Sequence, residues 1–211
     1  MFPWLTPENG YIFRIMALDN LGHVLEHGIA CRNCHNLIQQ QNFVEIGNYD
    51  IIFKRDRRSV DCEPFGVLSD YVPFYFAPRS PMLSSITRTN SRVKNEVIYL
   101  VSQAQLVAKA GIPFVFTEAH AMMDFLLFRN QLADLTIVDW EVMQAKYWNS
   151  TPDDNDRRRR RMAEFLVYQH FPVSCIRAIV VANESVAEVV QQQLINFVSQ
   201  IPVRIQPEWY F

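Results

Sequence analysis

The sequence predicts a single α+β domain, and three observations support that fold class. The 211 residues are 49% hydrophobic and 13% aromatic, so the chain can bury a sizeable core. Its length suits one domain covering residues 1–211, and neither an internal repeat nor a low-complexity linker divides it. Strand-like and helix-like stretches do not alternate regularly along the chain, which favours an α+β domain over a doubly wound parallel sheet.

The N-terminal part predicts one strand followed by one helix. Residues 11–15 carry the aromatic and β-branched side chains that are typical of strands. Residues 19–28 have the apolar spacing of a short helix, with Asp19 as its candidate N-cap and Gly28 at the position where a helix ends.

The next segment has no clear period. Residues 31–45 are rich in amide side chains, which leaves both a helix and a loop open. Residues 46–70 contain Gly47, Pro64 and Gly66 and predict a long surface loop. Because long loops inside compact domains are usually functional, this loop is a candidate part of a site.

The rest of the chain predicts further strands and two helical regions. The strands are apolar, β-branched or aromatic runs bounded by turn residues: 72–77, 96–101, 114–116, 165–168, 176–181 and 203–205. Ser80-Pro81-Met82 predicts a turn after the first of them. Residues 120–150 indicate helices in short pieces, and 185–200 has helical spacing, with Ser185 as N-cap and Glu188 completing a capping box.

Charge is segregated along the chain, although the net charge is only −2. Two runs, residues 54–58 and 157–161, are dense in arginine and lysine. Such clusters are compatible with a nucleic acid or a phosphate-bearing cofactor, and charge alone fits two solvated loops equally well. No apolar run approaches the ~18 residues that span a bilayer, and the N-terminus lacks the pattern of a signal peptide. We therefore expect a cytoplasmic protein with no membrane contact.

The four cysteines do not predict a metal or haem site. Cys31, Cys34 and His35 lie close together, but Cys62 and Cys175 supply no matching second pair for zinc. Haem attachment through such a motif requires export, which the N-terminus does not indicate. We expect two incidental cysteines near a helix end and no bound metal.

Glu164 has the pattern that points most directly to chemistry. It stands at the start of an apolar strand, just after the basic run 157–161. A carboxylate held by a sheet can hydrogen-bond a ribose hydroxyl and stabilise the oxocarbenium-like sugar that forms when a nicotinamide–ribose bond breaks. A salt bridge to an arginine of its own run explains the same pattern, and spacing alone does not separate the two.

Several blocks of residues, in one order along the chain, carry a family pattern. The most specific is Asp70-Tyr71-Val72-Pro73-Phe74-Tyr75-Phe76-Ala77-Pro78-Arg79-Ser80-Pro81-Met82-Leu83. The others are Arg14-Ile15, Asp19-Asn20-Leu21, Leu25-Glu26-His27-Gly28, Ile46-Gly47-Asn48, Lys54-Arg55, Pro113-Phe114-Val115-Phe116-Thr117, His120-Ala121, Ala163-Glu164 and Trp209-Tyr210-Phe211. Together these blocks, which run nearly from end to end, resemble the DarT family of bacterial toxins, which ADP-ribosylate DNA and are paired with a macrodomain antitoxin.

The resemblance implies the ADP-ribosyltransferase fold, in which a split central β-sheet with flanking helices surrounds an NAD cleft. It implies an NAD-dependent mono-ADP-ribosyltransferase toxin that modifies a base, expected to be thymine, in single-stranded DNA. NAD would be the ADP-ribose donor, the partners would be single-stranded DNA and a DarG-like macrodomain antitoxin, and the protein is expected to be a monomer. Two alternatives stay open: a nucleic-acid-binding relative with weak or no transferase activity, and a same-fold transferase acting on guanine, RNA or protein.

The resemblance also implies three sets of site residues. The catalytic set is Glu164, Arg55 and His120. The cofactor-binding set is Asn20, Gly28, Arg55, Tyr75 and Met82. The nucleic-acid-binding set is His120, Trp148, Arg157, Arg158 and Arg159. A substrate-reading segment at about 121–163 would also offer Trp140 and Tyr147 for stacking on bases, and for each aromatic residue there the alternative is that it packs the segment onto the domain.

One position departs from the family pattern. The family usually has a histidine two residues before the Asp19-Asn20 pair, where this sequence has Ala17. A side-chain contact to the NAD ribose would then be missing. This departure implies weaker NAD binding, or compensation by Arg14 and Met16.

Overall fold

The computed structural model describes residues 1–34, 43–90 and 93–211. Its strands are β1 Tyr11–Ala17, β2 Ile29–Ala30, β3 Tyr71–Tyr75, β4 Val97–Gln103, β5 Phe114–Phe116, β6 Glu164–Tyr168, β7 His170–Phe171, β8 Ala178–Val181 and β9 Val203–Ile205. Seven of them form one sheet in the order β5-β6-β3-β1-β4-β8-β9, and β2 pairs with β7 separately. Neighbours in the large sheet are antiparallel except β8 and β9. This mostly antiparallel sheet confirms the predicted α+β class.

Short helices connect and flank these strands. They are α1 Leu21–His27, α2 Tyr49–Arg55, α3 Pro81–Thr89, α4 Val93–Glu96, α5 Ala104–Lys109, α6 Trp140–Gln144, α7 Arg157–Arg160 and α8 Glu184–Asn196. Within the described ranges, none of the helices combines the length and the apolar character that crossing a membrane requires.

The large sheet is almost divided between β1 and β3. β1 pairs with β4 along its whole length, but its register with β3 consists of the single pair Phe13↔Tyr75. β3 instead pairs at five positions with β6, the last of them Tyr75↔Glu164. The sheet therefore has two halves, β5-β6-β3 and β1-β4-β8-β9, that meet at one point. This is the split that the resemblance implies.

The half formed by β3, β5 and β6 is covered on both faces. Successive side chains of a strand point to opposite faces, and in β6 Phe165 and Val167 belong to the main core while Leu166 belongs to a second, smaller one. The smaller core consists of Val60, Leu68, Tyr71, Val115, Ala121, Phe128 and Leu166. Residues at the ends of these strands are thus held by packing on two sides.

The predicted loop 46–70 contains a helix, α2, that the sequence analysis missed. Asn48 caps it, because its Oδ1 accepts hydrogen bonds from the backbone N–H groups of Asp50 at 2.9 Å and Ile51 at 3.3 Å. None of the seven helical residues is buried. A helix without a buried face has no apolar stripe, so the period that would have predicted it is absent.

A second missed helix, α3, replaces the predicted turn at Ser80-Pro81-Met82. The Ser80 hydroxyl oxygen accepts the N–H of Leu83 at 3.2 Å, and Pro81 occupies the first helical position. Serine followed by proline is a recognised start of a helix. An N–H at the first helical position has no intrahelical acceptor, so proline, which lacks an N–H, loses no hydrogen bond there. The signal was therefore present in the sequence.

The other predicted elements differ from the structure mainly at their ends. Each predicted strand is confirmed within two residues at either end, and residues 120–150 contain the short pieces Leu132–Ile137 and α6. Asn183, not Ser185, caps α8 by accepting the N–H of Val186 at 3.1 Å. Asp19 is exposed within a 3-10 turn and makes no cap. Of the amide-rich segment 31–45, residues 35–42 lie outside the described residues.

Candidate active site

Glu164 is the first residue of β6 and lies beside the split in the sheet. It is paired with Tyr75 at the end of β3, and its side chain is only 2% exposed. Its backbone carbonyl accepts the N–H of Thr117 at 2.9 Å, and its own N–H donates to the Thr117 hydroxyl at 3.3 Å. The sheet therefore holds this carboxylate in one place, at the strand end where the sequence analysis put it.

Three groups surround the carboxylate. Arg55 Nη1 donates to Glu164 Oε2 at 2.9 Å, and the backbone N–H of Ala121 donates to Oε1 at 3.0 Å. His120 Nε2 lies 3.8 Å from the same Oε1. Glu164, Arg55 and His120 therefore form one cluster, although they come from three distant parts of the chain. The alternative of a salt bridge within the run 157–161 is wrong, because the partner, Arg55, is 109 positions away.

These contacts keep Glu164 ionised although it is buried. Burial is the largest influence and by itself raises the pKa of a carboxyl group, but Arg55, His120 and the Ala121 N–H bring the pKa of Glu164 below its usual 4.5. The phenol of Tyr75 behaves in the opposite way, since burial and then the charge of Glu164 raise its pKa above the usual 10. The site thus combines a fixed negative charge with a neutral phenol.

A cleft of about 350 Å³ opens beside this cluster. Its volume lies in the range of small-molecule sites, ~300–1,000 Å³. β1 contributes one wall and β3 the facing wall, so the cleft occupies the split between the two halves of the sheet. Residues 43–48 and α2 close a third side, and Pro81 and Met82 at the start of α3 close a fourth.

Two arginines in the cleft keep hydrogen-bond donors unused. Arg14 Nη1 donates to the Pro73 carbonyl across the split at 2.9 Å, but Arg14 Nε and Arg55 Nη2 are buried without a partner among the described residues. Burial lowers the pKa of Arg14 below its ordinary value. Because buried cationic N–H groups without partners are costly, both arginines suit a polar or anionic ligand. From the sequence, Arg14 is expected to contact NAD only in compensation for Ala17. The signal for a larger role is a cation within an otherwise apolar strand.

The predicted cofactor residues divide into two groups. Arg55, Tyr75 and Met82 line the cleft. Asn20 is buried behind the wall, where its side chain forms two hydrogen bonds with the backbone of Val44, at 2.9 and 2.8 Å. Val44 itself lines the cleft. Asn20 therefore shapes the cleft by holding the segment that closes it.

Gly28 also lies behind the cleft rather than in its wall. It ends α1 with φ +73°, a conformation that L side chains rarely adopt. A Cβ there would lie 2.5 Å from the carbonyl oxygen of Phe171 on β7. Glycine is needed at this position so that the chain can turn from α1 into β2.

Ala17, where the family pattern has histidine, is buried at the end of β1 and pairs with Val97 of β4. Arg14 and Met16, from the same strand, both line the cleft. Although position 17 supplies no histidine, these two side chains are therefore positioned to contact a ligand bound in the cleft.

The basic run 157–161 divides into residues with different surroundings. Arg158 is exposed and lines the cleft. Arg157, Arg159 and Arg160 form ion pairs with neighbouring carboxylates, which belong to Glu118, Asp139, Asp154 and Asp156. Arg161 is buried and donates to four backbone carbonyls, those of Pro78, Val142, Met143 and Ala145. Arg161 is a structural residue, which corrects the suggestion that the whole run could meet phosphates.

The aromatic residues predicted to stack on bases are mostly packed against the protein. Trp148 is 6% exposed, so its ring does not present a face to a nucleic acid, and its inclusion in the nucleic-acid-binding set is corrected. Trp140 packs edge-on against Phe76 and donates its indole N–H to the Leu135 carbonyl. Tyr147 is exposed. For Trp140 and Trp148, the alternative of packing the segment onto the domain is the observed one.

Cys31 and Cys34 remain free thiols in the structure. Cys31 is buried and lines the cleft. Burial is the main cause, and the neighbouring Cys34 the second, that raises the pKa of its thiol to about 12. His35 lies outside the described residues. Among the residues that are described, no group of three or more His, Cys, Asp or Glu side chains could hold a metal ion.

Comparison with known proteins agrees with this geometry. The family model "DarT: ssDNA thymidine ADP-ribosyltransferase" matches residues 13–211. A "DNA ADP-ribosyl transferase" of Escherichia coli O127:H6 is 36% identical, over 98% of this chain and 96% of that protein. A fusion of DNA ADP-ribosyl transferase and DNA ADP-ribosyl glycohydrolase from Thermosipho africanus is 25% identical, over 98% of this chain and 51% of the fusion.

Solved structures match the fold over its full length. DarT of Thermus sp. 2.9 in complex with ADP-ribosylated single-stranded DNA has a TM-score of 0.85 and 37% identity, covering 100% of this chain and 99% of that one. The same protein in complex with NAD+ has a TM-score of 0.83 and 36% identity, covering 100% of both chains. The split sheet, the cleft and the sequence matches lead to one conclusion: the chain belongs to the DarT family of DNA ADP-ribosyltransferases.

Proposed function

We propose that this protein transfers ADP-ribose from NAD to thymine in single-stranded DNA. The observation that carries the proposal is the cluster of Glu164, Arg55 and His120 at one edge of the split-sheet cleft. The family description names single-stranded DNA and thymidine, and the Thermus relative has been solved with NAD+ and with ADP-ribosylated single-stranded DNA.

NAD binding would use the unpaired donors of the cleft. Arg55 Nη2 and Arg14 Nε are buried donors on cationic groups, and a dinucleotide carries a pyrophosphate that can accept from them. Tyr75 and Met82 supply apolar surface on the neighbouring walls. In this arrangement the protein binds the donor through charge at one end of the cleft and through packing at the other.

Glu164 would act on the ribose attached to nicotinamide. Breaking that bond places positive charge on the sugar, and an ionised carboxylate fixed nearby lowers the energy of that charge. One oxygen of Glu164 is bonded to Arg55 and the other to Ala121, but a carboxylate accepts about four hydrogen bonds. Capacity therefore remains for a ribose hydroxyl.

His120 would orient the acceptor base. Its Nδ1 lies 3.2 Å from the backbone N–H of Met122 and accepts from it, so a neutral His120 carries its proton on Nε2, on the side of Glu164. A ring with this tautomer donates to a carbonyl oxygen of the base rather than removing a proton. The N3 of thymine must lose its proton when it bonds to the ribose, and the ionised Glu164 carboxylate is the acceptor that we assign to it.

Single-stranded DNA is the appropriate acceptor because N3 of thymine lies on the pairing edge, which is hidden in a duplex. Arg158 is exposed at the mouth of the cleft and would contact a phosphate of the strand. Arg157 and Arg159 already have carboxylate partners, so we expect their contribution to DNA binding to be smaller.

The test is an ADP-ribose transfer assay with labelled NAD and single-stranded oligonucleotides that each contain one type of target base. We expect label on thymine-containing strands and much less on the same strands annealed to their complements. Glu164→Gln should reduce transfer by at least ~10²–10³-fold. Glu141→Gln changes an exposed glutamate of α6 and serves as the matched control.

Three outcomes of this assay would overturn the proposal. Label on guanine, RNA or protein would change the acceptor. Transfer by Glu164→Gln at near the wild-type rate would remove Glu164 from the chemistry. DNA binding by a well-folded wild-type protein without transfer would make this chain a nucleic-acid-binding relative.

We further propose that the protein is a monomeric cytoplasmic toxin opposed by a macrodomain antitoxin. Support comes from the Thermosipho relative, in which the transferase is fused to a DNA ADP-ribosyl glycohydrolase. Inducible expression in a bacterium should arrest growth for wild type but not for Glu164→Gln, and co-expression of a DarG-type macrodomain should restore growth. Equal growth of the two strains at equal protein levels would contradict the toxin role. Size-exclusion chromatography with light scattering tests the expected monomer.

A further inference from the structure

The turn after His120 carries three exposed apolar side chains, those of Met123, Phe125 and Leu127, that the site described above does not use. Phe125 is fully exposed and Met123 is 37% exposed. We call this pair the apolar shelf. Single exposed apolar residues are common on protein surfaces, so this pair is of interest because its turn follows directly on His120 and Ala121 of the site.

The turn that presents the shelf is anchored on both sides. Leu126 and Phe128 are buried, and Phe128 belongs to the smaller core. The N–H of Met123 donates to the His120 carbonyl at 2.9 Å, and Arg58 Nη2 donates to the Met123 carbonyl at 2.6 Å. The exposure of Phe125 is therefore set by a turn that is held in place rather than by a free chain end.

The backbone at Phe125 is in an unusual conformation. Its φ of +58° lies in the left-handed region, which non-glycine residues rarely adopt. Such a conformation persists only where the surroundings determine it, and it is concentrated at functional sites. Here it occurs at the residue whose ring is fully exposed to solvent.

The shelf is close to the reacting groups. Ala121, whose N–H binds Glu164, is two residues before Met123, and the Met123 N–H contacts the His120 carbonyl. Phe125 is four residues after Ala121, so the Cα atoms of these two residues lie at most ~14 Å apart. A strand whose target base enters the cleft can therefore place a nearby base over the shelf.

The turn that carries the shelf is held by a residue of the basic run 54–58. Arg58 contacts the turn directly, and it belongs to the basic run 54–58, which also contains Arg55 of the site. The one carboxylate between the two shelf residues is Asp124, which is exposed. Its charge disfavours a phosphate at the tip of the turn, so the tip is left for the uncharged face of a base.

We propose that Phe125, supported by Met123, stacks on a base that neighbours the target base in single-stranded DNA. This stacking would hold the strand so that the target base points into the cleft beside Glu164. The proposal rests on the function proposed above and adds a base-stacking site to it. Aromatic stacking on bases is tolerant of sequence, so the shelf would strengthen binding without selecting the neighbouring base.

The test measures binding of a short thymine-containing single strand by fluorescence anisotropy, without NAD, so that no turnover occurs. We expect Phe125→Ala to weaken binding on the order of tenfold, the effect that loss of one stacked base produces. Phe125→Trp should bind like wild type because it keeps a ring, whereas Phe125→Leu should resemble Phe125→Ala because it keeps only apolar area. Leu127→Ala removes an exposed apolar side chain two residues away and serves as the matched control, with an affinity within twofold of wild type.

A second readout reports stacking directly. With 2-aminopurine next to the thymine, fluorescence should be quenched on binding wild type and Phe125→Trp but not Phe125→Ala. The NAD affinity of all variants should be unchanged. If Phe125→Ala binds and quenches like wild type, the shelf is not a stacking site, even when wild type transfers ADP-ribose to thymine. If wild type modifies no single-stranded DNA, the proposed function fails, and the binding data still decide whether Phe125 contacts the strand.

Discussion

Replacing Arg55 by alanine should destabilise the fold as well as impair transfer, and the size of the effect follows from its contact with Glu164. The two side chains are 12% and 2% exposed, and they are joined by a hydrogen bond of 2.9 Å. Removing one partner of a buried pair costs about 3–5 kcal/mol because the other charge is left uncompensated. We expect the lower end, about 3 kcal/mol, since Glu164 keeps its hydrogen bond from Ala121. For a domain of this size that corresponds to a decrease in Tm of about 6–12 °C.

A double-mutant cycle separates this ion pair from general loss of packing. Glu164→Gln keeps the shape and the hydrogen-bonding ability of the side chain, so we expect it to cost about 1 kcal/mol. In the Glu164→Gln background no buried charge is left without a partner when Arg55 is removed. Arg55→Ala should then cost no more than about 1 kcal/mol. The difference between the two costs of Arg55→Ala, about 2 kcal/mol, is the coupling between the residues. Thermal and urea unfolding of the four proteins at pH 7 would measure it.

The pH dependence provides a second check with a definite sign. In wild type the pKa of Glu164 in the folded protein lies below the ordinary value of 4.5. Its ion pair therefore stabilises the fold fully above pH 4.5, and this stabilisation is lost as the pH falls through the pKa of the folded protein. Arg55 is the largest of the influences that lower the pKa of Glu164, so we expect burial to raise that pKa in its absence, and the penalty at neutral pH is then relieved as the pH falls. The stability gap between wild type and Arg55→Ala should therefore narrow on acidification from pH 7 to about 4.5. A gap below 2 °C at pH 7, or one that is equally large in the Glu164→Gln background, would refute this reasoning.

Three further outcomes follow from the surroundings of other arginines. Arg14→Met should weaken NAD binding measured by calorimetry by about tenfold, the value of one charge-assisted hydrogen bond, and unchanged affinity would exclude Arg14 from the NAD site. Arg158→Gln should lower DNA affinity and reduce by about 1 the slope of log affinity against log salt concentration. Arg160→Gln, which loses ion pairs to aspartates, should leave that slope unchanged. Equal slopes for the two variants would contradict the division of the run 157–161 into exposed and ion-paired arginines. Arg161→Met should lower the free energy of unfolding by about 3–5 kcal/mol because buried carbonyls lose their donor, and a change below 1 kcal/mol in urea unfolding would show that water replaces it.

Local patterns in the sequence were sufficient for most of the fold. Strand periodicity identified the strands of the large sheet to within two residues, because alternation or continuity of apolar side chains reflects burial of a strand whatever its partners are. The pattern failed for α2, whose seven residues are all at least partly exposed, so that no apolar stripe records the helix. The prediction is also wrong for α3, because Ser80-Pro81 begins a helix where the sequence analysis predicts a turn.

The sequence by itself also determined which side chains are chemically suited to the site, since the residue blocks that resemble the DarT family contain Glu164, Arg55 and His120. Only the tertiary structure decided what each of them contacts. It joined Glu164 to Arg55 across 109 positions, separated the exposed Arg158 from the buried Arg161 three residues later, and enclosed Trp148 while leaving Phe125 in solvent. The physical reason is that secondary structure depends on neighbours along the chain, whereas burial, ion pairing and the energy of a charge depend on which distant elements pack together.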